Sequence, residues 1–268
     1  MKQIKKAKQP NKTKLAKSMG ICRSSLYYKS RMDIKDEVMK EQIISTLIDH
    51  PAYGHRRIAI HLGMNKKRIL RIMKKFGIKP MKIRRFKPIK KDDLGLTPIK
   101  YKNWLKTLCP LKPGVFWAMD FTYLWFEGRF YYLATIIDVY SREIVGVAIS
   151  PHHNKELILE AFKDALKRRS PPKYAHSDQG SEYQSEAYIS FIEDLGCTAS
   201  FASKGKPWEN GFQESFYSQF KLELGQLSKF KSLGHLVEAV YKQIHYYNHN
   251  RIHSALKMAP ATYAKQHS

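Results

Sequence analysis

Cysteine is scarce in this chain of 268 residues: Cys22, Cys109 and Cys197 are far apart, odd in number and form no Cys-x-x-Cys pair. That argues against a disulfide framework or a zinc knuckle and fits a reducing cytoplasm. Long apolar runs are also lacking, and none approaches the length needed to span a bilayer. The basic first nine residues are not followed by the apolar segment of a secretory signal, so they read as a solvated leader. There is no internal repeat and no sustained low-complexity segment. Negative charge is the largest deficit, with 23 acidic side chains against 48 lysines and arginines and a formal net charge of +25. It is unevenly spread: residues 1–100 carry 28 basic and 7 acidic side chains, the remainder 20 and 16. An N-terminal excess of this size reads as a nucleic-acid footprint acting through phosphate neutralisation, with a merely solvated lysine-rich surface as the blander alternative. The length allows two or three domains, and a hydrophobic content of 43% fits a globular protein with a real core.

Three of the few carboxylates stand where folding alone explains a charge poorly. Asp120 lies in the apolar run 115–126, whose two alternating faces are both largely apolar, as in an interior strand, where an unpaired carboxylate is costly. Asp178 ends the short run Tyr174-Ala-His-Ser and precedes Gln179-Gly180-Ser181, the point where a strand opens into a loop. Glu214 falls on a helix expected over 207–224, opposite the apolar stripe marked by Phe212 and Phe216 and in line with Asn210, Ser218 and Lys221. Singly, each has a structural explanation: a hydroxyl such as that of Thr122 can hold a strand aspartate, and a glutamate on a polar helix face is usually solvated. Together they make an all-oxygen, highly charged site suited to two Mg²⁺ or Mn²⁺ ions and to in-line phosphoryl transfer.

The wording around these residues resembles the integrase-core transposases of bacterial insertion sequences, the IS-three family, which belongs with retroviral integrases to the Asp-Asp-Glu superfamily. Five motifs carry the resemblance in the family's order: Trp117-x-x-Asp120-x-Thr122-Tyr123, Ile137-Asp138-x-x-Ser141-Arg142, His176-Ser-Asp178-Gln-Gly180-Ser-x-Tyr183, Gly205-x-Pro207-x-x-Asn210-x-x-x-Glu214-Ser-Phe, and Tyr247-Asn248-x-x-Arg251-x-His253-Ser254-Ala255-Leu256. The 35 residues between Asp178 and Glu214 also match the family spacing. Gly211, where the family often has Ala, weakens the helix by up to about 1 kcal/mol. The resemblance implies a ribonuclease-H-like catalytic core, Asp120, Asp178 and Glu214 as catalytic metal ligands, and cleavage of element ends followed by strand joining. It also implies double-stranded DNA as partner, a homo-oligomer on DNA, a nucleoid-associated cytoplasmic location, and help from or fusion to an upstream-frame DNA-binding product through ribosomal frameshifting. The rival readings are a non-catalytic DNA-binding regulator and a ribonuclease-H-like nuclease that cuts without joining. The intact set of carboxylates speaks against the first, and the basic N-terminal region with the C-terminal motif against the second.

The expected organisation is a partial helix-turn-helix with basic leader over 1–30, a helical DNA-binding module over 31–78, a basic proline-containing linker over 79–113, the catalytic core over 114–224 and a helical extension over 225–268. In the module, Asp33 is expected to cap a helix to residue 49 whose apolar contributors are Ile34, Val38, Ile44, Leu47 and Ile48. A later helix capped by Asn65 turns Ile69, Ile72, Met73 and Phe76 inward. That leaves Lys66, Lys67, Arg68, Arg71, Lys74 and Lys75 for a phosphate backbone. Lys204 and Lys206, before the Glu214 helix, are further candidate phosphate contacts. Thr122, His176, Asn210 and Arg251 are expected in support, with Asp138 and Arg142 as an ion pair. His245, His249 and His253 recur every four residues, but without a cysteine or a nearby third ligand they read as packing or phosphate contacts rather than a zinc site.

Overall fold

The computed structural model of the chain describes residues 11–28, 31–81, 101–203 and 207–268. The first helix, α1 (Lys12–Ser18), is capped by the Asn11 side chain and closed at Gly20, whose φ of 65° suits glycine. Instead of the second helix of a helix-turn-helix, a single 3₁₀ turn follows at Arg23–Leu26. No side chain caps this turn, and its two serines are weak helix formers that compete for backbone hydrogen bonds.

Three helices form the next unit: α2 (Arg31–Asp49), α3 (His55–His61) and α4 (Lys66–Lys75). The helix α2 begins before Asp33, so Asp33 is not its cap but a first-turn residue whose carboxylate meets Lys75 Nζ at 2.6 Å. Met39, Ile43, Tyr53, Ile58, Ala59, Ile69, Ile72 and Met73 form the small core. Of the apolar residues expected from α2, Leu47 packs against this core, whereas Ile34, Val38, Ile44 and Ile48 are exposed; three short helices leave room for only one stripe of α2 inside. The unit is seated on the rest of the chain. Tyr53 Oη accepts the Ile252 N–H at 2.7 Å, His50 Nδ1 and Tyr246 Oη share a hydrogen bond of 2.6 Å, and Ile252 packs against the helical core.

Of the segment expected as a linker over 79–113, residues 82–100 lie outside the described residues, and residues 101–113 are part of the larger unit. The short α5 (Trp104–Thr107), capped by Asn103, places Trp104 and Leu105 against one face of the central sheet, and Tyr101 packs on the other. That sheet has the order β3-β2-β1-β4-β5, with β1 (Phe116–Phe126), β2 (Arg129–Asp138), β3 (Ile144–Ser150), β4 (Tyr174–Ser177) and β5 (Thr198–Phe201). The first three strands are antiparallel, β4 runs parallel to β1, and β5 runs parallel to β4. Glu127 and Gly128, with φ of 47° and 78°, make the tight turn between β1 and β2, a geometry that matches the strand twist.

The helix α6 (Lys155–Leu166), capped by Asn154, carries the chain from the β3 edge back to β4, and α7 (Glu186–Asp194), capped by Ser185, leads to β5. Both cover one face. The other face is covered by α8 (Gly211–Leu224), entered through a 3₁₀ turn at Pro207–Asn210, and by α9 (Leu233–His249). A last helix, α10 (Pro260–Gln266), completes the helical extension expected over 225–268. Gly146 on β3 is required where α6 crosses it: a Cβ there would lie 2.3 Å from the Ala161 carbonyl oxygen and 2.8 Å from Ala165 Cβ. The result is the expected α/β sheet with helices on both faces, preceded by a small all-helical unit.

Candidate active site

The parallel pairing of β1 with β4 positions the two aspartates. Phe116 pairs with Tyr174, Trp117 with Ala175 and Ala118 with His176. Two residues beyond the last pair, the same offset brings Asp120 alongside Asp178, where β4 ends and a loop begins. Asp178 is near enough for its charge to raise the pKa of Asp120.

Glu214 arrives from α8, and the residues around it explain how that helix is held. Gln213 is fully buried; its Nε2 donates to the carbonyl oxygens of Ala118 (2.7 Å) and Thr135 (3.0 Å), and its Oε1 accepts from the Thr135 hydroxyl at 3.0 Å. One turn on, Tyr217 Oη donates to the Asp120 carbonyl oxygen at 2.7 Å. Phe216 and Phe220 lie in the core beneath. The helix is thereby fastened to β1 and β2 at the level of Asp120, and Glu214 is left exposed on its other side. Gly211 is the first α-helical residue, an end position where its cost is smaller than in a helix interior.

Asp120 feels both partners. Its acidity is weakened, with a pKa pushed up to about 7, first by burial and then by the charges of Asp178 and Glu214, against the opposing effect of the Phe121 N–H that its Oδ1 accepts at 2.9 Å. Thr122 is buried but is not a hydrogen-bond partner of this carboxylate. Tyr183, fully buried and with its hydroxyl unpartnered, has its pKa raised by burial and then by Asp120 and Asp178, and its ring centroid lies 6.4 Å from that of Phe121. Asp178 Oδ1 accepts the Gly180 N–H at 3.0 Å. The three carboxylates thus share one electrostatic neighbourhood. Among the described residues, however, no three acidic, histidine or cysteine side chains are gathered closely enough to form a ready-made metal cage. The donor set still fits a hard cation: it is all oxygen, its members repel one another, and the most buried member keeps a weakened acidity that a positive charge would reverse.

The supporting residues divide. His176 is buried at the end of β4, shares a 2.9 Å hydrogen bond with Ser200 Oγ and has its pKa pushed down to about 4 by burial. Asn210 donates to the Met119 carbonyl oxygen at 3.3 Å, linking the entry of α8 to β1. Arg251, 1% exposed, donates to Glu223 at 2.7 Å and to Gln219 at 3.0 Å. The expected ion pair between Asp138 and Arg142 does not form. Both Asp138 oxygens are taken up by the N–H groups of Ser141 (2.7 Å) and Gly114 (2.6 Å) and by the Ser141 hydroxyl, while Arg142 lies 3.9 Å over the Phe212 ring.

The candidate phosphate contacts on α4 also divide. Lys66, Lys67 and Lys74 are exposed and Arg68 is half-buried, but Arg71 makes a two-pronged pair with Asp36 at 2.8 and 2.5 Å, and Lys75 reaches both Asp33 and Asp36. The last two therefore join α4 to α2, a role concealed because Asp33 and Asp36 sit about 40 positions away in sequence. Lys204 and Lys206 lie outside the described residues.

Two site features were not anticipated. Glu182 Oε1 lies 3.2 Å from His153 Nδ1, and its Oε2 comes within 2.8 Å of where a Gly180 Cβ would be, beside Asp178 Oδ1 at 3.2 Å. His153 comes from the loop before α6, and nothing in its local sequence signals the contact. Lys221, two turns after Glu214, is exposed and lies over the Tyr123 ring at 5.0 Å.

Comparison with known proteins gives a consistent pattern. Residues 110–207 and 195–260 each match an integrase core domain family. The transposase for insertion sequence element IS904 from Lactococcus lactis is 31% identical over 251 residues, covering 89% of this chain and 98% of that protein. Transposase InsF for insertion sequence IS3A of Escherichia coli is 30% identical over 210 residues, covering 75% and 73%. Among solved structures, the HTLV-2 integrase catalytic core domain in complex with magnesium aligns with a TM-score of 0.50 at 19% identity, over 57% of this chain and 98% of that one. A chain of the simian T-cell lymphotropic virus intasome in complex with a PP2A regulatory subunit aligns with a TM-score of 0.52 at 15% identity, over 83% of this chain and 74% of that one. At such identities these two likenesses speak to the fold, which is that of integrase catalytic cores, ribonuclease-H-like.

Proposed function

The chain belongs to the insertion-sequence transposases that carry an integrase core domain, and from that premise we propose that Asp120, Asp178 and Glu214 are its catalytic carboxylates. They would hold two Mg²⁺ or Mn²⁺ ions. When bound, such ions supply Lewis-acid stabilisation of the attacking and leaving oxygens of an in-line phosphoryl transfer. The chain's own contribution is position and exclusion. Asp120 is held on an interior strand within electrostatic reach of the buried Tyr183, Glu214 is held at a set height by the Gln213 and Tyr217 bonds to β1 and β2, and Asp178 stands at the open strand end where a DNA strand can approach. One site of this kind would cut the end of the element and then join the freed 3′-hydroxyl to target DNA, with no covalent link between protein and DNA. Double-stranded DNA is the substrate, and a homo-oligomer assembled on it is the working form.

The observation that carries this reading is the response of Asp120. A partly buried carboxylate in the middle of an interior strand, its pKa raised first by desolvation and then by two further carboxylates, is unfavourable for folding and suited to cation binding. The test is an assay of Asp120→Asn and Glu214→Gln on labelled element-end DNA with Mg²⁺. Both cleavage and joining should fall to background while DNA affinity is kept, since affinity comes mainly from basic side chains elsewhere. Full joining by either variant would defeat the assignment.

A further inference from the structure

Away from the carboxylates, unpartnered buried polar atoms concentrate in one cavity of about 290 Å³, lined by Arg57 of α3, Arg142 between β2 and β3, Ser215 and Gln219 of α8, and Arg251 and His253 beyond α9. Arg57 Nε, Arg142 Nη1 and His253 Nδ1 are buried there without a hydrogen-bond partner. Only Arg251 is satisfied, by Glu223 and Gln219. The Asp138 carboxylate, near enough to favour the charged form of Arg142, is already bonded to Ser141 and Gly114. Three arginines therefore face one available carboxylate. Their closeness is visible in His253, whose pKa is pushed down by burial and then by Arg142, Arg251 and Arg57 in turn. Buried donors are normally bonded and buried charges paired; a cavity built against both rules, with an excess of cations, is arranged for an anion it does not itself supply. The planar guanidinium fork matches phosphate, and Phe212 under Arg142 fixes the plane of one fork.

The place of the cavity narrows the anion. Ser215 directly follows Glu214 on α8, so the cavity and the carboxylate site lie on adjoining faces of one helix turn. Arg57 and Gln219 also line a neighbouring cleft with His55 and Arg56. Resting on the transposase reading above, we propose that this cavity is a phosphate seat for the DNA strand whose cleavage the carboxylates carry out. Arg57, Arg142 and Arg251 grip one backbone phosphate, so the N-terminal helical unit and the core hold the same strand.

The experiment compares the full-length wild type with Arg57→Gln, Arg142→Gln and the double variant. Without DNA, each variant should melt at or above the wild-type temperature, because a half-buried guanidinium with an unbonded buried nitrogen has been removed. Inorganic phosphate should raise the wild-type melting temperature in a saturable way and leave the double variant unmoved. DNA affinity should fall about ten- to a hundredfold per arginine, the loss of a hydrogen bond to a charged group. The slope of log affinity against log salt should shrink by about one for the phosphate that is no longer neutralised. Arg57→Lys should restore the slope but only part of the affinity, keeping the charge and losing the fork. Unchanged affinity and slope in the double variant would overturn the proposal, as would variants that melt well below wild type and lose DNA binding only in proportion. A wild type that cuts no DNA would count against the catalytic reading alone, since the phosphate titration and the salt slope judge the cavity without cleavage.

Discussion

Burial works on single ionisable residues in opposite directions in this chain. Asp120 is held where its charge is unwelcome and its pKa rises to about 7, while His253 is held where protonation is unwelcome and its pKa falls to about 4. For His253 the consequence for stability has a definite sign. A histidine whose folded pKa lies below its unfolded value of 6.5 contributes fully above that value, and the contribution is lost as pH falls toward 4. The groups facing it are Arg57 from α3, Arg142 from the β2–β3 turn and Arg251 on its own segment, all cationic throughout this range. The shift is equivalent to at most about 3 kcal/mol. In phosphate-free buffer, stability should therefore drop between pH 6.5 and 4, and His253→Gln should flatten that slope without changing stability at pH 8 by more than about 1 kcal/mol. Urea melts of both proteins across the range measure it, and parallel pH profiles would show that His253 is protonated in the fold at no cost.

At the scale of elements, the sheet and its helices were readable because their signals are local: alternation in β1 and β2, Asn154 and Ser185 before apolar stripes, glycine at the tight turn. The candidate carboxylates were readable because a charge inside an apolar run or at a strand end conflicts with its setting. What escaped were side chains whose partners are distant in sequence. Gln213 carries no signal of its own in the sequence, yet it is fully buried because Ala118, Thr135 and α8 converge on it; Arg71 reads as a phosphate contact until α2 brings Asp36 against it; Trp104 reads as linker until the fold places it on the core. Replacing Gln213 by Leu removes the donor to two strand carbonyls and the acceptor for Thr135, which should cost about 1–3 kcal/mol and lower Tm by about 2–4 °C per kcal/mol. Because α8 also carries Glu214, cleavage at a temperature where the variant is fully folded should fall further than its folded fraction, with DNA affinity kept. A stable, fully active Gln213→Leu protein would show that α8 needs no such fastening.

Across the whole molecule, the positive charge has more than one job. The exposed Lys66, Lys67 and Lys74 have no acidic partner on α2, whereas Arg71 and Lys75 are held by Asp36, whose side chain is 1% exposed. Counting cations therefore overstates the DNA-facing charge of this helix, and the two groups should respond differently to substitution. Lys67→Glu with Lys74→Glu should weaken binding to every DNA sequence about equally and lower the salt slope by about one for each phosphate left without its lysine, with Tm unchanged, because an exposed lysine contributes little to folding. Arg71→Gln should instead lower Tm by leaving the buried Asp36 with Lys75 alone, and should affect DNA binding only as far as the helical unit loosens. Binding isotherms at several salt concentrations, run beside thermal melts, separate the two. If Arg71→Gln proved neutral for Tm and cost a full unit of salt slope, the pair with Asp36 would be one that DNA displaces, and α4 would present its whole basic face to the backbone.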